Sequence, residues 1–360
     1  MQKSIIQVTP FYPPHLGGME NVVFEITQKL RERKFEVLVL TSNIGAKLAK
    51  QKKVKYLDSI EVANTPIIFG LFKNLLATKN TGVVHVHISQ AFTPEIVYLY
   101  SALKKVPYIA HVHLDVDASG FFGFLLMPYK KIFLRHVLRN AAKVIVLTPM
   151  QKKQIKSLYK IPDRQIEIVP NGVSANFFMK RSAKRKYSRF LYVGRLAHQK
   201  NIVKLIEIFS KIKSDVSLDV VGEGSERSNI ESKIKELGLK NVSLHGERKG
   251  RDLLKFYKRS DFYITASKKE GASLAMLEAM AASLVVIAPD SPGISEMVEG
   301  AAFIEKGTDS DKFAASIERL IKNPKRIAEL SKRSYARAKK FTWEISVNKL
   351  INLYSEVYEN

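Results

Sequence analysis

The chain has 360 residues, which suits two domains of roughly 150–200 residues each. Hydrophobic residues make up 46% and charged residues 26% of it, a composition that excludes wholesale disorder. There is no cysteine, which excludes a disulfide scaffold, a thiolate metal site and a cysteine nucleophile. We expect no secretory signal, because the opening apolar run is short, and no membrane-spanning helix, because no uncharged apolar run reaches about 18 residues.

The formal net charge of +25 is the unusual feature of the composition. Residues 1–186 carry 29 basic and 11 acidic residues, net +18, and the rest carries 30 and 23, net +7. This surplus favours anionic partners: nucleic acid, lipid headgroups or phosphorylated substrates. A solvated basic surface that only keeps the protein soluble is the alternative. Because the chain has no zinc-finger spacing, no aromatic RNA-binding strand and no basic zipper, we expect no nucleic-acid partner.

Short β-branched runs alternate with amphipathic segments through the first half of the chain. The runs are apolar almost throughout, as in parallel strands covered by helices on both faces. The predicted strands are Ser4–Thr9, Glu36–Leu40, Gly82–His87, Tyr108–His113 and Lys143–Leu147. The predicted helices between them are Met19–Arg33, Glu95–Lys104 and Met150–Leu158.

The same alternation resumes in the second half of the chain. Its predicted strands are Arg189–Val193, Ser217–Val221, Val242–His245, Phe262–Ile264 and Leu284–Ile287. Its predicted helices are Ile202–Lys211, Glu226–Glu236, Asp252–Lys258, Ser273–Ala282 and Asp311–Ile321. The pattern predicts an α/β protein with two doubly wound parallel sheets facing each other across a cleft.

A basic stretch, Lys180–Ser188, interrupts the alternation of strands and helices. We predict that it is an exposed interdomain linker. We therefore predict an N-terminal domain over residues 1–180 and a C-terminal domain over 181–341. A long amphipathic helix over 342–360 is predicted to pack back on the N-terminal domain.

Two carboxylates frame the strongest local motif, which runs from Glu270 to Glu278. It follows an apolar strand and opens a helix, whose first amides and dipole favour an anion. Glu278 lies about two turns further along the helix, so the carboxylates can bind hydroxyls at the two ends of one elongated ligand. A capped helix with a solvated glutamate is the alternative.

Two further turns carry residues suited to phosphate binding. Arg195 and Lys200 follow a strand end at Gly194, and this pairing of a guanidinium fork with a mobile ammonium suits a diphosphate. Gly17 and Gly18 stand at the mouth of a predicted helix, where a backbone without side chains can approach phosphate or sugar. Ordinary turn chemistry is the alternative for the glycines.

Four histidines alternate along two predicted strands, at positions 85, 87, 111 and 113. Each pair points to one face of its strand, so a metal site, a ligand contact and a structural role all stay open. His113 ends its strand, which is where ligand contacts are expected.

The segment Phe121–Arg139 combines an apolar cluster with a basic ridge of Lys131, Arg135 and Arg139, spaced four residues apart. Such a segment can lie in a membrane interface beside anionic lipid. A domain helix with a solvated basic face is the alternative.

Together these motifs resemble the GT-B fold retaining glycosyltransferases of family 4. The resemblance runs from residue 10 to residue 296 and includes two further elements, Pro170–Val173 and Val221–Gly224. Two positions depart from the family pattern: Ala272 replaces the usual phenylalanine, and Ser283 replaces the usual glycine before the next strand. The first departure affects the expected donor pocket.

The resemblance implies a role for each matching residue. Arg195 and Lys200 hold the donor diphosphate, Glu270 contacts the donor sugar near the reacting carbon, and Glu278 binds the ribose hydroxyls. His113 hydrogen-bonds the sugar and supports the reaction centre. The backbone cradle for phosphates or sugar hydroxyls consists of Gly17, Gly18, Gly271, Ala272, Ser273 and Leu274.

The implied reaction is a retaining hexosyl transfer from a UDP- or GDP-sugar to a saccharide or lipid-linked acceptor, with no metal or other cofactor. Fixed cations at the leaving diphosphate make a metal unnecessary. The expected location is cytoplasmic, peripheral at the inner face of the cell membrane. A GT-B enzyme of the nucleotide-sugar 2-epimerase kind is the alternative, and a basic nucleic-acid-binding protein is a more distant one.

Overall fold

The computed structural model describes residues 4–15, 17–46, 51–62, 65–89, 91–113, 128–180, 186–267, 270, 272–291 and 293–359. The chain divides into two compact units. The first unit comprises Met1–Asn171 together with Trp343–Asn360, and the second comprises Gly172–Thr342.

The first unit is built on a parallel sheet. Its described strands are β1 (Ser4–Thr9), β2 (Val37–Ser42), β3 (Val54–Leu57), β4 (Ser59–Val62), β5 (Thr65–Ile68), β6 (Thr81–Ile88), β7 (Tyr108–Val112), β8 (Lys143–Val146) and β9 (Ile166–Ile168). Seven of them form one sheet in the order β3-β2-β1-β6-β7-β8-β9, while β4 and β5 form an antiparallel pair. Every residue of β1 and of β7 is buried, which explains why these strands are apolar along their whole length.

Helices connect the strands of the first unit. They are α1 (Gly18–Glu32), α2 (Leu71–Ala77), α3 (Thr93–Lys104), a π-helical segment (Lys130–Leu134) that continues into α4 (Arg135–Asn140), and α5 (Pro149–Tyr159). Helix α5 begins with a proline at its first position, and the Thr148 side chain accepts a hydrogen bond from the Gln151 amide. This cap satisfies one amide that the helix itself leaves unpaired.

The second unit has a parallel sheet of the same design. Its strands are β10 (Arg189–Val193), β11 (Ser217–Val221), β12 (Val242–Leu244), β13 (Phe262–Ile264), β14 (Val285–Pro289) and β15 (Phe303–Glu305), in the order β12-β11-β10-β13-β14-β15. Its helices are α6 (Ile202–Ser210), α7 (Arg227–Glu236), α8 (Gly250–Arg259), α9 (Leu274–Ala281), α10 (Ile294–Val298), α11 (Ser310–Ile321) and α12 (Pro324–Ala338). These two sheets confirm the predicted α/β class with two Rossmann-like domains.

In each sheet the strand order reverses beside the first strand of the unit, between β1 and β6 and between β10 and β13. Connections leave this point in opposite directions along the sheet, so the loops that follow the two strands diverge and leave an opening. In open α/β sheets, ligands bind at that opening, outside the carboxyl ends of the strands. The topology therefore marks one candidate ligand edge in each unit.

The division between the units falls after Asn171 rather than after residue 180. Val173 forms a parallel bridge with Thr342, and Phe177 packs edge-on against Tyr257 in the core of the second unit. The basic stretch at 180–188, of which residues 181–185 lie outside the described residues, thus runs within the second unit. Lys180 and Lys186, which flank the residues that are not described, are exposed, but the division between the units lies elsewhere.

The last helix, α13 (Trp343–Glu359), belongs to the first unit and packs against α1. Its apolar face is buried, including Trp343 and Tyr354. The Lys29 ammonium lies 3.3 Å from the Glu344 carboxylate across the two helices. Among the described residues, no helix has the length and apolar character needed to cross a bilayer.

Candidate active site

The carboxyl ends of β10 and β13 bring two predicted site residues together in the second unit. Lys200 lies in a short 3-10 turn after β10, and Glu270 lies in the loop after β13. The Lys200 Nζ atom donates to both carboxylate oxygens of Glu270, at 2.8 Å and 2.7 Å. The Lys200 side chain is 20% exposed and the Glu270 side chain is 8% exposed, so this ion pair is largely shielded from solvent. The Lys200 ammonium group is therefore neutralised and oriented by the Glu270 carboxylate.

Arg195 lies at the same edge of the sheet but differs from Lys200 in its exposure to solvent. It directly follows Gly194 at the end of β10 and is exposed. No carboxylate among the described residues lies within ion-pair distance of its guanidinium group. Arg195 is therefore available for an anionic ligand, whereas the Lys200 ammonium is already held in place.

Close backbone packing fixes the loop that carries Arg195. The Gly194 amide donates to the Val221 carbonyl, and the Gly222 amide donates to the Gly246 carbonyl. A Cβ atom at Gly222 would overlap the Gly194 carbonyl oxygen, and one at Gly224 would overlap the Leu196 carbonyl oxygen. These glycines in the Val221–Gly224 element thus allow two strand-end loops to touch through their backbones.

Glu278 lies on α9, and Tyr257 of α8 holds its carboxylate. The Tyr257 hydroxyl donates to Glu278 Oε2 at 2.7 Å and contacts the Ala275 carbonyl oxygen at 3.3 Å. Tyr257 is fully buried, and this burial, reinforced by the charge of Glu278, raises the pKa of its hydroxyl well above the usual value. The phenol therefore remains a donor that orients the carboxylate.

The predicted backbone cradle lies at the start of α9. Ser273 caps this helix by accepting a hydrogen bond from the Met276 amide at 3.4 Å. Ala272, Ser273 and Leu274 are half-buried, while Gly271 lies outside the described residues. The family's glycine before β14 is replaced by Ser283, which adopts a left-handed backbone and donates its hydroxyl to the Met179 carbonyl oxygen.

The glycine loop of the first unit follows β1. Gly17 and Gly18 are exposed, and Gly18 begins α1. A Cβ at Gly17 would overlap the Glu20 carboxylate, whereas a Cβ at Gly18 would meet no atom of the described residues within 4 Å. Glu20 is buried, and its Oε1 atom lies 2.8 Å from His15 Nδ1. The open side of Gly18 leaves room for a ligand to approach the first amides of α1.

The four strand histidines form one buried cluster in the first unit. His87 Nδ1 lies 2.8 Å from His113 Nε2, and His85 Nε2 lies 3.2 Å from His111 Nδ1. Burial lowers the pKa of His85 and of His113 to about 3, and it lowers the other two well below the usual value. All four rings are therefore neutral at pH 7.

Three polar residues that contact or neighbour predicted site residues were not predicted: Tyr257 in the second unit, and His15 and Glu20 in the first. Tyr257 looks like an ordinary core aromatic in the sequence, and only its contact with Glu278 reveals its role. The His15–Glu20 pair has a sequence signal, because Glu20 occupies the third position of α1, where a carboxylate reaches back over the helix start.

Two family models match consecutive parts of the chain. Residues 16–177 match Glycosyltransferase Family 4, and residues 174–341 match Glycosyl transferases group 1. The chain belongs to the group 1 glycosyltransferases. It is therefore a transferase enzyme, and this confirms the predicted glycosyltransferase family.

Several proteins are distant relatives in sequence, and their similarity extends over most of the chain. An uncharacterized glycosyltransferase of Methanocaldococcus jannaschii is 24% identical, over 96% of each chain. The GPI3 subunit of a Saccharomyces cerevisiae phosphatidylinositol N-acetylglucosaminyltransferase is 24% identical, over 98% of this chain and 83% of its own. A GDP-mannose:cellobiosyl-diphosphopolyprenol alpha-mannosyltransferase of Xanthomonas campestris is 22% identical, over 80% and 79%.

Solved structures share the fold along the whole chain. A glycosyltransferase from Rickettsia africae superposes with a TM-score of 0.79 at 18% identity, covering 100% of both chains. Anabaena Alr3699/HepE, solved in complex with UDP and glucose, also superposes with a TM-score of 0.79, at 16% identity over 98% of this chain and 100% of its own. At this level of identity the likeness establishes the fold alone.

Replacing Lys200 by glutamine should lower the free energy of unfolding by about 3 kcal/mol, because it leaves the buried Glu270 carboxylate without a counter-charge. The double variant Lys200→Gln/Glu270→Gln should recover most of that loss, since it buries no charge. Urea denaturation of the wild type and the three variants, including Glu270→Gln alone, measures the coupling.

The matched control for this cycle is Lys211→Gln, which breaks an ion pair with Asp311 whose two side chains are 51% and 78% exposed. It should cost less than about 1 kcal/mol, because exposed pairs contribute little. Equal losses for Lys200→Gln and Lys211→Gln would show that shielding does not strengthen the Lys200–Glu270 pair.

Proposed function

We propose that the protein is a retaining hexosyltransferase that moves a sugar from a nucleoside-diphosphate donor to a saccharide or lipid-linked acceptor. The observation that carries the proposal is the shielded Lys200–Glu270 ion pair at the carboxyl ends of β10 and β13. This pair places a cation and a carboxylate within 3 Å of each other. A sugar–phosphate bond needs both, because the cation can bind the phosphate and the carboxylate can accept hydrogen bonds from the sugar hydroxyls.

The charge flow of the reaction fits the two cations. Breaking the anomeric C–O bond builds positive charge on the sugar ring and negative charge on the departing diphosphate. Lys200 and Arg195 stabilise that negative charge where it develops, and Lys200 is already fixed in a shielded environment. The cations perform the task that a divalent ion performs in other transferases, so we propose a metal-independent reaction.

We propose that the acceptor hydroxyl attacks from the side of the leaving group, which retains the anomeric configuration. Both oxygens of Glu270 accept hydrogen bonds from Lys200, an arrangement that lowers the nucleophilicity of the carboxylate. This favours a role for Glu270 in binding sugar hydroxyls over a covalent attack on the sugar. We also propose that His113 donates a hydrogen bond to the donor sugar.

The donor is a UDP- or GDP-sugar whose ribose hydroxyls bind Glu278. Tyr257 holds one carboxylate oxygen of Glu278, which orients the group for a two-hydroxyl ligand. Anabaena HepE has been solved with UDP and glucose, and the Xanthomonas relative is named for GDP-mannose, so relatives support both nucleotides. Thermal shifts with UDP-, GDP- and ADP-sugars identify the donor, since selective binding stabilises the folded state.

The acceptor side of the proposal rests on an apolar patch in the first unit. Four side chains that are each more than half exposed form it: Leu99, Leu103, Ile132 and Phe133. They lie on α3 and on the π-helical segment, which pack against each other. The predicted cluster at 121–127 lies outside the described residues.

Basic residues accompany this apolar patch. Lys131 and Arg139 are exposed and Arg135 is half-buried, all on the π-helical segment and α4. Apolar side chains beside cations suit the interface of an anionic membrane, and two relatives are named for lipid substrates. We propose that the protein acts as a cytoplasmic enzyme, peripheral at the inner face of the cell membrane, on a lipid-linked acceptor.

Glu278→Gln should raise the donor Kd about tenfold and leave turnover nearly unchanged, because it weakens hydrogen bonds to the ribose. Glu270→Gln should lower turnover about a hundredfold, because Glu270 lies beside the group whose charge changes in the transition state. Donor titration and the rate of nucleoside diphosphate release measure the two effects. Equal losses of donor affinity with normal turnover in both variants would contradict this division.

Activity should persist in excess EDTA, because Arg195 and Lys200 already neutralise the leaving diphosphate. The measurement is the rate of nucleoside diphosphate release with and without the chelator. Complete loss of activity that manganese or magnesium restores would overturn the metal-independent proposal.

Changing Lys131, Arg135 and Arg139 together to glutamine should weaken the affinity for anionic vesicles about a hundredfold at low salt, since each residue contributes about 1 kcal/mol of attraction. Donor binding should be unchanged, because its residues lie elsewhere. The wild type should retain some binding at high salt through the apolar patch, since salt screens only the charges.

A matched control removes three exposed lysines of the second unit, Lys312, Lys325 and Lys332, by the same substitution. This variant loses the same charge but should sediment like the wild type. Failure of the wild type to bind anionic vesicles at low salt would make a soluble acceptor the better assignment.

A further inference from the structure

The buried histidine cluster contains two hydrogen-bonded pairs and two atoms without a partner. His85 and His87 lie on β6, His111 lies on β7, and His113 directly follows β7. The two rings from the same strand stack on each other. The ring centroids are 4.3 Å apart for His85 and His87 and 4.2 Å apart for His111 and His113. The Nε2 atoms of His87 and His111 are buried and have no hydrogen-bond partner among the described residues.

The unpartnered atoms decide where the protons lie. A neutral imidazole carries one N–H and one lone pair. Buried N–H groups without an acceptor are rarer in proteins than buried acceptors without a donor. We therefore assign the proton of His87 to Nδ1, the nitrogen that has a partner, and leave a lone pair at its solitary Nε2.

This assignment orients the bond between His87 and His113. His87 Nδ1–H donates to His113 Nε2 across 2.8 Å. Since His113 Nε2 accepts this bond with its lone pair, the proton of the His113 ring must lie on Nδ1. His113 can then offer an N–H donor, but no lone pair, through its remaining nitrogen.

The second pair follows the same logic independently. A proton on His111 Nδ1 donates to His85 Nε2 at 3.2 Å, and His85 Nδ1–H donates to the Tyr354 hydroxyl oxygen at 2.6 Å. All four rings then carry their proton on Nδ1. This pair ends at α13 and makes no hydrogen bond to His113, so it supplies a control with equally buried groups.

We propose that His87 is a positioning residue that holds His113 in the Nδ1–H tautomer, so that His113 donates a hydrogen bond to an oxygen of the donor sugar. The proposal rests on the proposed function, because it takes His113 as the sugar contact. His87 itself is fully buried and acts only through His113.

The tautomer can be measured without any assay of activity. In the full-length protein labelled with ¹⁵N-histidine, two-bond ¹H–¹⁵N correlation spectra distinguish Nδ1–H from Nε2–H rings, and single histidine variants assign the signals. We expect His113 and His87 to be Nδ1–H tautomers. A His113 ring protonated at Nε2 would overturn the proposal.

The same spectra address a bound metal. One ring nitrogen from each of His85, His87 and His111 lies within 4.8 Å of one from each of the other two, a spacing that an ion could draw together. A stoichiometric metal in the purified protein, bound through these nitrogens, would replace the hydrogen bonds and would also overturn the proposal.

Kinetics test whether the tautomer matters. His87→Leu removes the donor and should lower kcat about tenfold or more with an unchanged donor KM, the effect of losing one hydrogen bond in the transition state. His87→Asn places an amide N–H at the position of Nδ1 and should retain kcat within about threefold, because the bond to His113 survives. The control His85→Leu removes an equally buried bond and should lower stability without lowering kcat.

The outcomes separate this proposal from the proposed function. Normal kcat in His87→Leu, with His113→Ala inactive, would overturn the positioning role and leave His113 as the sugar contact. Full activity in His113→Ala would overturn both roles while transfer itself still occurs. An equal loss of kcat in His87→Leu and His85→Leu would show that His87 contributes only packing and would overturn the positioning role.

Discussion

Parallel pairing of neighbouring strands is the constraint on which the candidate site depends. Adjacent parallel strands end at the same edge of a sheet, so the loop after β10 and the loop after β13 emerge side by side. The Lys200–Glu270 bond follows from that adjacency, although 70 residues separate its partners. In the first unit the same constraint makes β6 and β7 neighbours and aligns their histidines into one cluster. An antiparallel arrangement would have sent alternate loops to opposite edges.

Local charge at the site differs from the charge of the whole protein. The chain carries a net charge of +25, yet the most shielded lysine of the candidate site is neutralised by a carboxylate. Arg195, at the same sheet edge, is exposed, so the two cations differ in how far solvent screens their charge. In the proposed reaction the exposed guanidinium attracts the anionic donor over a distance, while the shielded ammonium acts at close range in a poorly solvated place, where a fixed charge is most effective.

The features that were predictable from the sequence are those with a local signal. Buried parallel strands are apolar throughout, so most of the central strands were found within a residue or two of their observed bounds. The short strands β3 and β4 were not, because they mix exposed charged residues with apolar ones and resemble loops. Strand β5 was not found either, because it has only four residues and one of them is a proline. The predicted boundary at residue 180 failed for a related reason, because solvent exposure and domain division produce the same composition.

Site residues show the same distinction between local and long-range signals. Glu270, Glu278, Arg195 and Lys200 stand out because strand ends and helix starts frame them. Tyr257 does not, because its function depends on meeting Glu278 from another helix, 21 residues away in the chain. The hydrogen-bonding partners of the histidines were equally hidden, since spacing indicates which face of a strand a ring lies on but not which nitrogen meets which.

The placement of α13 has a consequence for biosynthesis. The second unit is continuous in the chain, whereas the first needs residues from both ends of it. During translation the seven-stranded sheet of the first unit is made before the second unit, yet α13, which contacts His85 through Tyr354, is made after it. The whole of the second unit can therefore emerge and fold while the first still exposes the face that α13 covers. The first unit is therefore completed only after the whole second unit has been made, when α13 leaves the ribosome.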